Sequence, residues 1–167
     1  NMPVSLDYQI KTWKEYSIQI EDYVKLGIPQ GVHSSKGQAV NTMVDPYSYR
    51  QNLTMPKMIF MGTNDEYWVI DNIKNYIDSI PGKNLINYTP NAGHSLGNKV
   101  KAFESLNAFF GNTVAHQPYP ECSWTTNVRR GKVDVTAKAT SDKLVDVVLW
   151  SASSPDIGPR PCCSPPR

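Results

Sequence analysis

The sequence predicts an α/β fold built on a parallel sheet, followed by a partial antiparallel β module. Two short apolar runs, Lys57-Met58-Ile59-Phe60-Met61 and Asn84-Leu85-Ile86-Asn87-Tyr88-Thr89, each precede a segment with apolar residues at helical spacing. That order of strand, helix, strand, helix implies parallel strands joined by right-handed crossovers. After Gly111 the pattern changes, and Val133, Val135, Ala137 and Ala139 alternate strictly, as strands of an antiparallel sheet do. The chain has 167 residues, 40% hydrophobic and 10% aromatic, enough for an ordinary domain with a core and too few for a large multidomain enzyme.

Along the chain, Ile10, Trp13, Ile20 and Val24 keep three-and-four spacing with Ser17 between them, and Gly27 and Pro29 supply a stop. An amphipathic helix from Ile10 to Leu26 is expected. Gln30 to Thr42 lacks periodicity and reads as a loop or a weak surface helix, with His33 in solvent. Asp45-Pro46 joins a capping side chain to a proline at the first helical position. It starts a short helix with Tyr49 and Leu53 on one face, ended by Pro56. The run from Lys57 to Met61 reads as a strand buried on both faces, closing in the polar turn Gly62-Thr63-Asn64-Asp65. Asp71 caps a helix with Ile73, Ile77 and Ile80 at helical spacing, broken by Pro81-Gly82.

The second strand ends in the loop Pro90-Asn91-Ala92-Gly93-His94. The helix beyond it presents Val100, Phe103, Leu106 and Phe110, with Gly111 just past its C-terminus. Three antiparallel strands follow, Trp124 to Val128, Lys132 to Ala139 and Leu144 to Trp150, separated by Arg130-Gly131 and Thr140-Ser141-Asp142, with Trp124 and Trp150 as core residues. Three strands are too few for a closed sandwich, so they either pack on the α/β part or begin a small β module. The boundaries are an α/β domain over 1–111, a linker over 112–122 that holds His116, a partial β-sandwich-like module over 123–154, and a disordered tail over 155–167. Five of the 13 prolines lie in that tail.

With 17 basic against 15 acidic residues, and no basic run longer than Arg129-Arg130, nucleic acid is not an expected partner. No stretch approaches the roughly 18 apolar residues of a membrane span. The start, Asn1-Met2-Pro3-Val4, has no signal-peptide layout, and a processed or truncated product is expected. Cys122, Cys162 and Cys163 make no metal signature and permit one disulfide at most, so neither metal nor other cofactor is expected. Asn52-Leu53-Thr54 and Asn87-Tyr88-Thr89 fit the N-glycosylation acceptor pattern, which matters in a eukaryotic secretory setting.

Asp65 and His94 occupy equivalent places, each in the loop beyond the carboxyl end of a strand, and a parallel sheet sets those loops side by side. A carboxylate that accepts from one imidazole nitrogen fixes the tautomer and leaves the other nitrogen to take a proton from a nucleophile. Acid before histidine is the α/β-hydrolase order, with the nucleophile on an earlier strand-to-helix elbow. No serine sits on such an elbow: Ser34 and Ser35 follow no strand, Ser95 neighbours the histidine on its own loop, and Ser5 precedes the first helix. Glu66, Tyr67 and Trp68 are candidates to line a pocket beside Asp65, with packing on the top of the next helix the alternative for Tyr67 and Trp68.

Met43-Val44-Asp45-Pro46-Tyr47-Ser48-Tyr49-Arg50, Leu53-Thr54-Met55-Pro56-Lys57, Gly62-Thr63-Asn64-Asp65-Glu66-Tyr67-Trp68 and Pro90-Asn91-Ala92-Gly93-His94-Ser95-Leu96 together resemble the PhoPQ-activated pathogenicity-related protein family, which includes autocrine proliferation repressors. Tyr16-Ser17 through Asp22-Tyr23 fits the helix that precedes these motifs, and Val147-Val148-Leu149-Trp150-Ser151-Ala152 a strand of the β module that follows them. The resemblance implies the C-terminal half of an α/β-hydrolase sheet, with Asp65 and His94 as acid and base of a serine-hydrolase triad whose nucleophile is not in this chain. It also implies a secreted or cell-envelope location. Three functions are open: ester or amide hydrolysis by a parent protein on a small-molecule or peptide substrate, a secreted signalling or interaction protein with a protein partner or receptor, or a fragment without independent function.

Overall fold

The structure is a computed structural model that describes residues 2–12, 21–140 and 144–151. Its described residues form two compact units, within Asn1–Leu106 and within Asn107–Ser153.

In the first unit, α1 spans Met2–Thr12, starting eight residues before the expected Ile10. Trp13, Ser17 and Ile20 lie outside the described residues. Helix α2 spans Glu21–Lys25, and Gly27 follows it at φ 68°, the left-handed stop that a glycine adopts without a Cβ penalty. Helix α3 is the single turn Ile28–Gly31. The stretch from Gln30 to Thr42 resolves as a surface helix, α4, Ser35–Val44, with no buried side chain. Ser34 caps it by accepting from the Gly37 N–H at 3.1 Å. Asp45 caps the next turn by accepting from the Tyr47 N–H at 2.9 Å. That turn, Pro46–Asn52, is a 3₁₀ helix, so Tyr49 and Leu53 do not share an α-helical face.

Strands β1, Lys57–Gly62, and β2, Asn84–Thr89, pair in parallel, from Lys57 opposite Asn84 to Gly62 opposite Thr89. Only the end of β1, Met61 and Gly62, is buried and the rest is half-buried, so burial on both faces is not realised. The reason is visible in the sheet, which has two strands among the described residues. The expected helix after Asp71 is two 3₁₀ turns, Asn72–Asn75 and Ile77–Ser79, interrupted at Tyr76 (φ −144°). Side chains compete with the helix there. Asn75 Nδ2 donates to the Asn72 carbonyl and to Asn72 Oδ1, while Asn72 Nδ2 turns inward to the Ser5 carbonyl of α1, the local bonding that makes Asn a poor helix former. Asp71 does not cap; it bonds Tyr8 and Lys74. Leu6, Met61, Ile73 and Ala92 are buried, as are Ser5, Gln9 and Asn72, and α1 packs on the first of these turns.

Helix α5, Val100–Val114, passes through Gly111 instead of ending before it. Thr113 Oγ1 donates back to the Phe109 carbonyl, Tyr119 stacks on Phe109 at 5.5 Å, and His116 takes the left-handed position at φ 52°. The expected apolar face is exposed: Val100, Phe103, Leu106 and Phe110 all lie in solvent, and Ala102 is the buried residue. Asn87 of β2 donates to Ser105 of α5 at 2.8 Å, so small residues set the helix against the strand. In the second unit β3, Cys122–Arg129, and β4, Lys132–Ala139, form an antiparallel hairpin. Residues 144–151 form no strand, and Trp124 and Trp150 are exposed rather than core, because no described layer covers either face of the hairpin. Ser141 and Asp142 of the expected turn, and the tail from 155 with Cys162 and Cys163, lie outside the described residues.

The amino end of β1 is tied by one ammonium group. Lys57 Nζ donates to the carbonyls of Leu53, Met55 and Pro81, each at 2.7 Å, satisfying all three of its donors. Lys57→Met is expected to lower stability by about 2 kcal/mol, the worth of a charge-assisted set whose partners stay partly exposed; an unchanged denaturant midpoint would count against the tie. A second expectation concerns acid. Burial works to raise the Asp71 carboxyl, but bonds from Lys74 and Tyr8 outweigh it and hold the group below its ordinary value. A depressed carboxyl stabilises the fold above its unfolded pKa of about 3.9, and that contribution is lost as pH falls through the folded value. Asp71→Asn should therefore flatten the acid limb of the stability curve below about pH 4, measured by denaturant titration across pH.

Candidate active site at the carboxyl ends of the parallel strands

The two loops that leave the sheet are stitched together before any chemistry begins. Thr63 N–H donates to the Thr89 carbonyl and Asn64 N–H to the Ala92 carbonyl, at 3.1 and 2.9 Å. Asn64 Nδ2 donates to Asn91 Oδ1, and Asn91 N–H donates to Thr63 Oγ1. Gly62 makes this approach possible, because a Cβ there would stand 2.4 Å from the carbonyl oxygens of both Ala92 and Gly93. Those are backbone atoms with little room to yield, so the glycine is required by contact rather than by φ.

On this base Asp65 and His94 meet. Asp65 Oδ1 accepts from the N–H groups of Tyr67 and Trp68 at 2.8 and 3.0 Å, and Oδ2 lies 3.0 Å from His94 Nδ1. A carboxylate only accepts, so Nδ1 carries the proton and the lone pair is on Nε2. The Asp65 side chain is 11% exposed and that of His94 53%: the acid is held inside and the imidazole reaches outward. Tyr67 leans on the imidazole, ring centres 5.0 Å apart.

A cavity of about 510 Å³ opens beside the pair, lined by Asp65, Trp68, Tyr76 and His94 among others, over a floor from β1. That volume suits a small organic ligand. Burial, with a lesser contribution from Tyr88, pushes the Tyr76 phenol above its ordinary value, so it stays a protonated donor there. Among the described residues no group of His, Cys, Asp or Glu is arranged to hold a metal ion.

Of the three pocket candidates, Trp68 lines the cavity and Glu66 and Tyr67 do not. Glu66 has a different part: its Oε2 accepts from the His94 N–H at 3.0 Å, so Asp65 holds the ring and Glu66 the main chain of one histidine. Tyr67 is anchored through its carbonyl, which accepts from Nε2 of the fully buried Gln9. Ser5, Gln9, Asn72 and Tyr76 carry no local signal of these positions, since their partners or neighbours in the cleft come from distant parts of the chain. Gly93-His94-Ser95-Leu96-Gly97 has the spelling Gly-x-Ser-x-Gly. It is not an elbow: Ser95 lies exposed in a turn, away from the ends of β2 and α5, and is absent from the positive-φ residues, which include Leu96 and Gly97.

Residues 1–158 match the family described as PhoPQ-activated pathogenicity-related protein. A similar protein is autocrine proliferation repressor protein A of Dictyostelium discoideum, 26% identical over 160 residues, which cover 91% of this chain and 32% of that protein. The chain thus spans about a third of the length of this relative. No solved structure matches it.

Gly62→Ala should force the loops apart, and nitrogen NMR of the imidazole would then show His94 losing its bias toward the Nδ1–H tautomer; an unchanged spectrum would refute the contact argument. Glu66→Ala is expected to speed exchange of the His94 amide by about ten to a hundredfold, the equivalent of a charge-assisted bond of about 1.5–3 kcal/mol. Glu66→Gln, which still offers an accepting oxygen, should keep most of the protection.

Proposed function

The chain belongs to the PhoPQ-activated pathogenicity-related protein family, and we propose that within it Asp65 and His94 are the acid and base of a serine-hydrolase-like site. The observation that carries this reading is the 3.0 Å contact between Asp65 Oδ2 and His94 Nδ1, with the second carboxylate oxygen fixed by two backbone N–H groups. In this reading the chain is the C-terminal portion of an α/β-hydrolase-type protein, secreted or in the cell envelope. The nucleophilic serine comes from outside these residues.

The chemistry follows from the tautomer. His94 Nε2 takes the proton of the serine hydroxyl as its oxygen adds to the carbonyl carbon of an ester or amide. Asp65 stabilises the imidazolium that forms. Collapse of the tetrahedral intermediate expels the leaving group, which receives that proton from Nε2. Water, deprotonated by the same nitrogen, then cleaves the acyl-serine and restores the hydroxyl. Trp68 and the apolar floor of the cleft would hold the acyl portion while Asp65 and Glu66 keep the imidazole in place.

A second reading is favoured by one observation, the name of the amoebal relative, an autocrine proliferation repressor. The same scaffold then serves a secreted signalling or interaction protein, and the cleft binds without turnover. Fluorophosphonate labelling separates the two. The 167-residue chain should carry no stoichiometric serine adduct, and an adduct on Ser95 would overturn the assignment of the nucleophile. In a protein that joins this chain to its serine, labelling is expected, and Asp65→Asn should lower its rate by about 10³ to 10⁴, as loss of the orienting acid does in serine proteases. Absence of labelling in that longer protein would favour the signalling reading.

A further inference from the structure

The two Asn-x-Thr tripeptides of this chain stand in opposite surroundings. Asn52 ends the 3₁₀ helix Pro46–Asn52, its side chain is exposed, and so is that of Thr54. Between them Leu53 has φ −87° and ψ 58°, close to an inverse γ-turn, which folds residues i and i+2 of the tripeptide toward each other. Asn87 lies within β2, opposite Phe60. Its Nδ2 donates to Ser105 of α5 at 2.8 Å, its Oδ1 accepts from Thr89 Oγ1 at 3.4 Å, and Thr89 is 8% exposed.

We propose that Asn52 is an N-glycosylation site of this protein in a eukaryotic secretory pathway, and that Asn87 is not. The reaction draws on a lipid-pyrophosphate-linked oligosaccharide. Asn52 Nδ2 bonds to the anomeric carbon of its first sugar, the bond from that carbon to the pyrophosphate oxygen breaks, and the amide gives up one proton. Asn52 is exposed among the described residues, at a helix end where a glycan has access to solvent. A glycan on Asn87 would have to occupy the space between β2 and α5 and displace the bond to Ser105.

The placement also separates Asn52 from the Asp65–His94 pair. Asn52 precedes the amino end of β1, whereas Asp65 and His94 lie past its carboxyl end, about 17 Å away along six residues of strand. The inference is independent of whether the cleft catalyses or only binds.

The experiment is expression of the chain behind a cleavable secretory leader in eukaryotic cells, followed by enzymatic deglycosylation in heavy-oxygen water and peptide mass spectrometry. Deglycosylation converts a modified Asn to heavy-labelled Asp. The label is expected on residue 52 in total lumenal protein, and on 52 without 87 in the soluble fraction. Thr54→Ala, at an exposed position, should abolish it and Thr54→Ser should retain it. An unlabelled residue 52 in total protein, or a label on residue 87 in soluble protein, would overturn the proposal.

Discussion

Parallel pairing of β1 and β2 in one register is the constraint on which the rest of this structure depends. Lys57 faces Asn84 and Gly62 faces Thr89, so the loops that follow leave from the same end of the sheet at the same height. A slip of one residue would turn every side chain of a strand to the opposite face and would carry Gly62 away from the carbonyls of Ala92 and Gly93. A two-stranded ladder has little stability of its own. It is reinforced at both ends, by the Lys57 ammonium on three carbonyls at one and by Thr63, Asn64 and Asn91 at the other.

Asp65 shows that a turn former and an orienting acid need not be rival descriptions of one residue. Its Oδ1 closes the turn by accepting from the Tyr67 and Trp68 N–H groups, and that engagement leaves Oδ2 aimed at the imidazole. The local bond therefore does for the carboxylate what tight packing does for a buried side chain: it removes rotamer freedom before the histidine arrives. Glu66 extends the device to the backbone of His94. Two adjacent acids thus hold one histidine from two directions, and the small residue at 93 gives the second carboxylate access, since a Cβ there would lie 2.6 Å from Glu66 Oε2.

Legibility in the sequence follows the range of the forces involved. The two parallel strands, the cap at Asp45 and the stop at Gly27 rest on neighbours within a few residues, and the apolar runs or turn chemistry that make them are written locally. The helix expected after Asp71 rests on periodicity alone. Asn72 and Asn75 carry the competing hydrogen bonds, and the inward pull on Asn72 comes from Ser5, 67 residues earlier. For α5 the apolar stripe gave the right helix and the wrong buried face: Ala102 is buried and the small Ser105 accepts from Asn87 of β2, while Phe103 and Leu106 are exposed. The exposed hairpin makes the same point: alternation specifies a strand but not a layer to cover it.

By itself the sequence determined the two parallel strands and the places of Asp65 and His94 in the loops beyond their carboxyl ends, because the apolar runs and the turn residues that close them are written locally. Which nitrogen faces the acid, that Trp68 lines the cleft while Glu66 grips a backbone N–H, and which of two identical tripeptide patterns is open to solvent were decided by tertiary structure alone. The two grips on His94 depend on distances of about 3 Å between residues that are 28 or 29 positions apart in the chain, and the closed tripeptide on a bond from Asn87 to Ser105, 18 positions away; hydrogen bonds weaken steeply with misplacement. No local pattern encodes so short a distance across so long a separation.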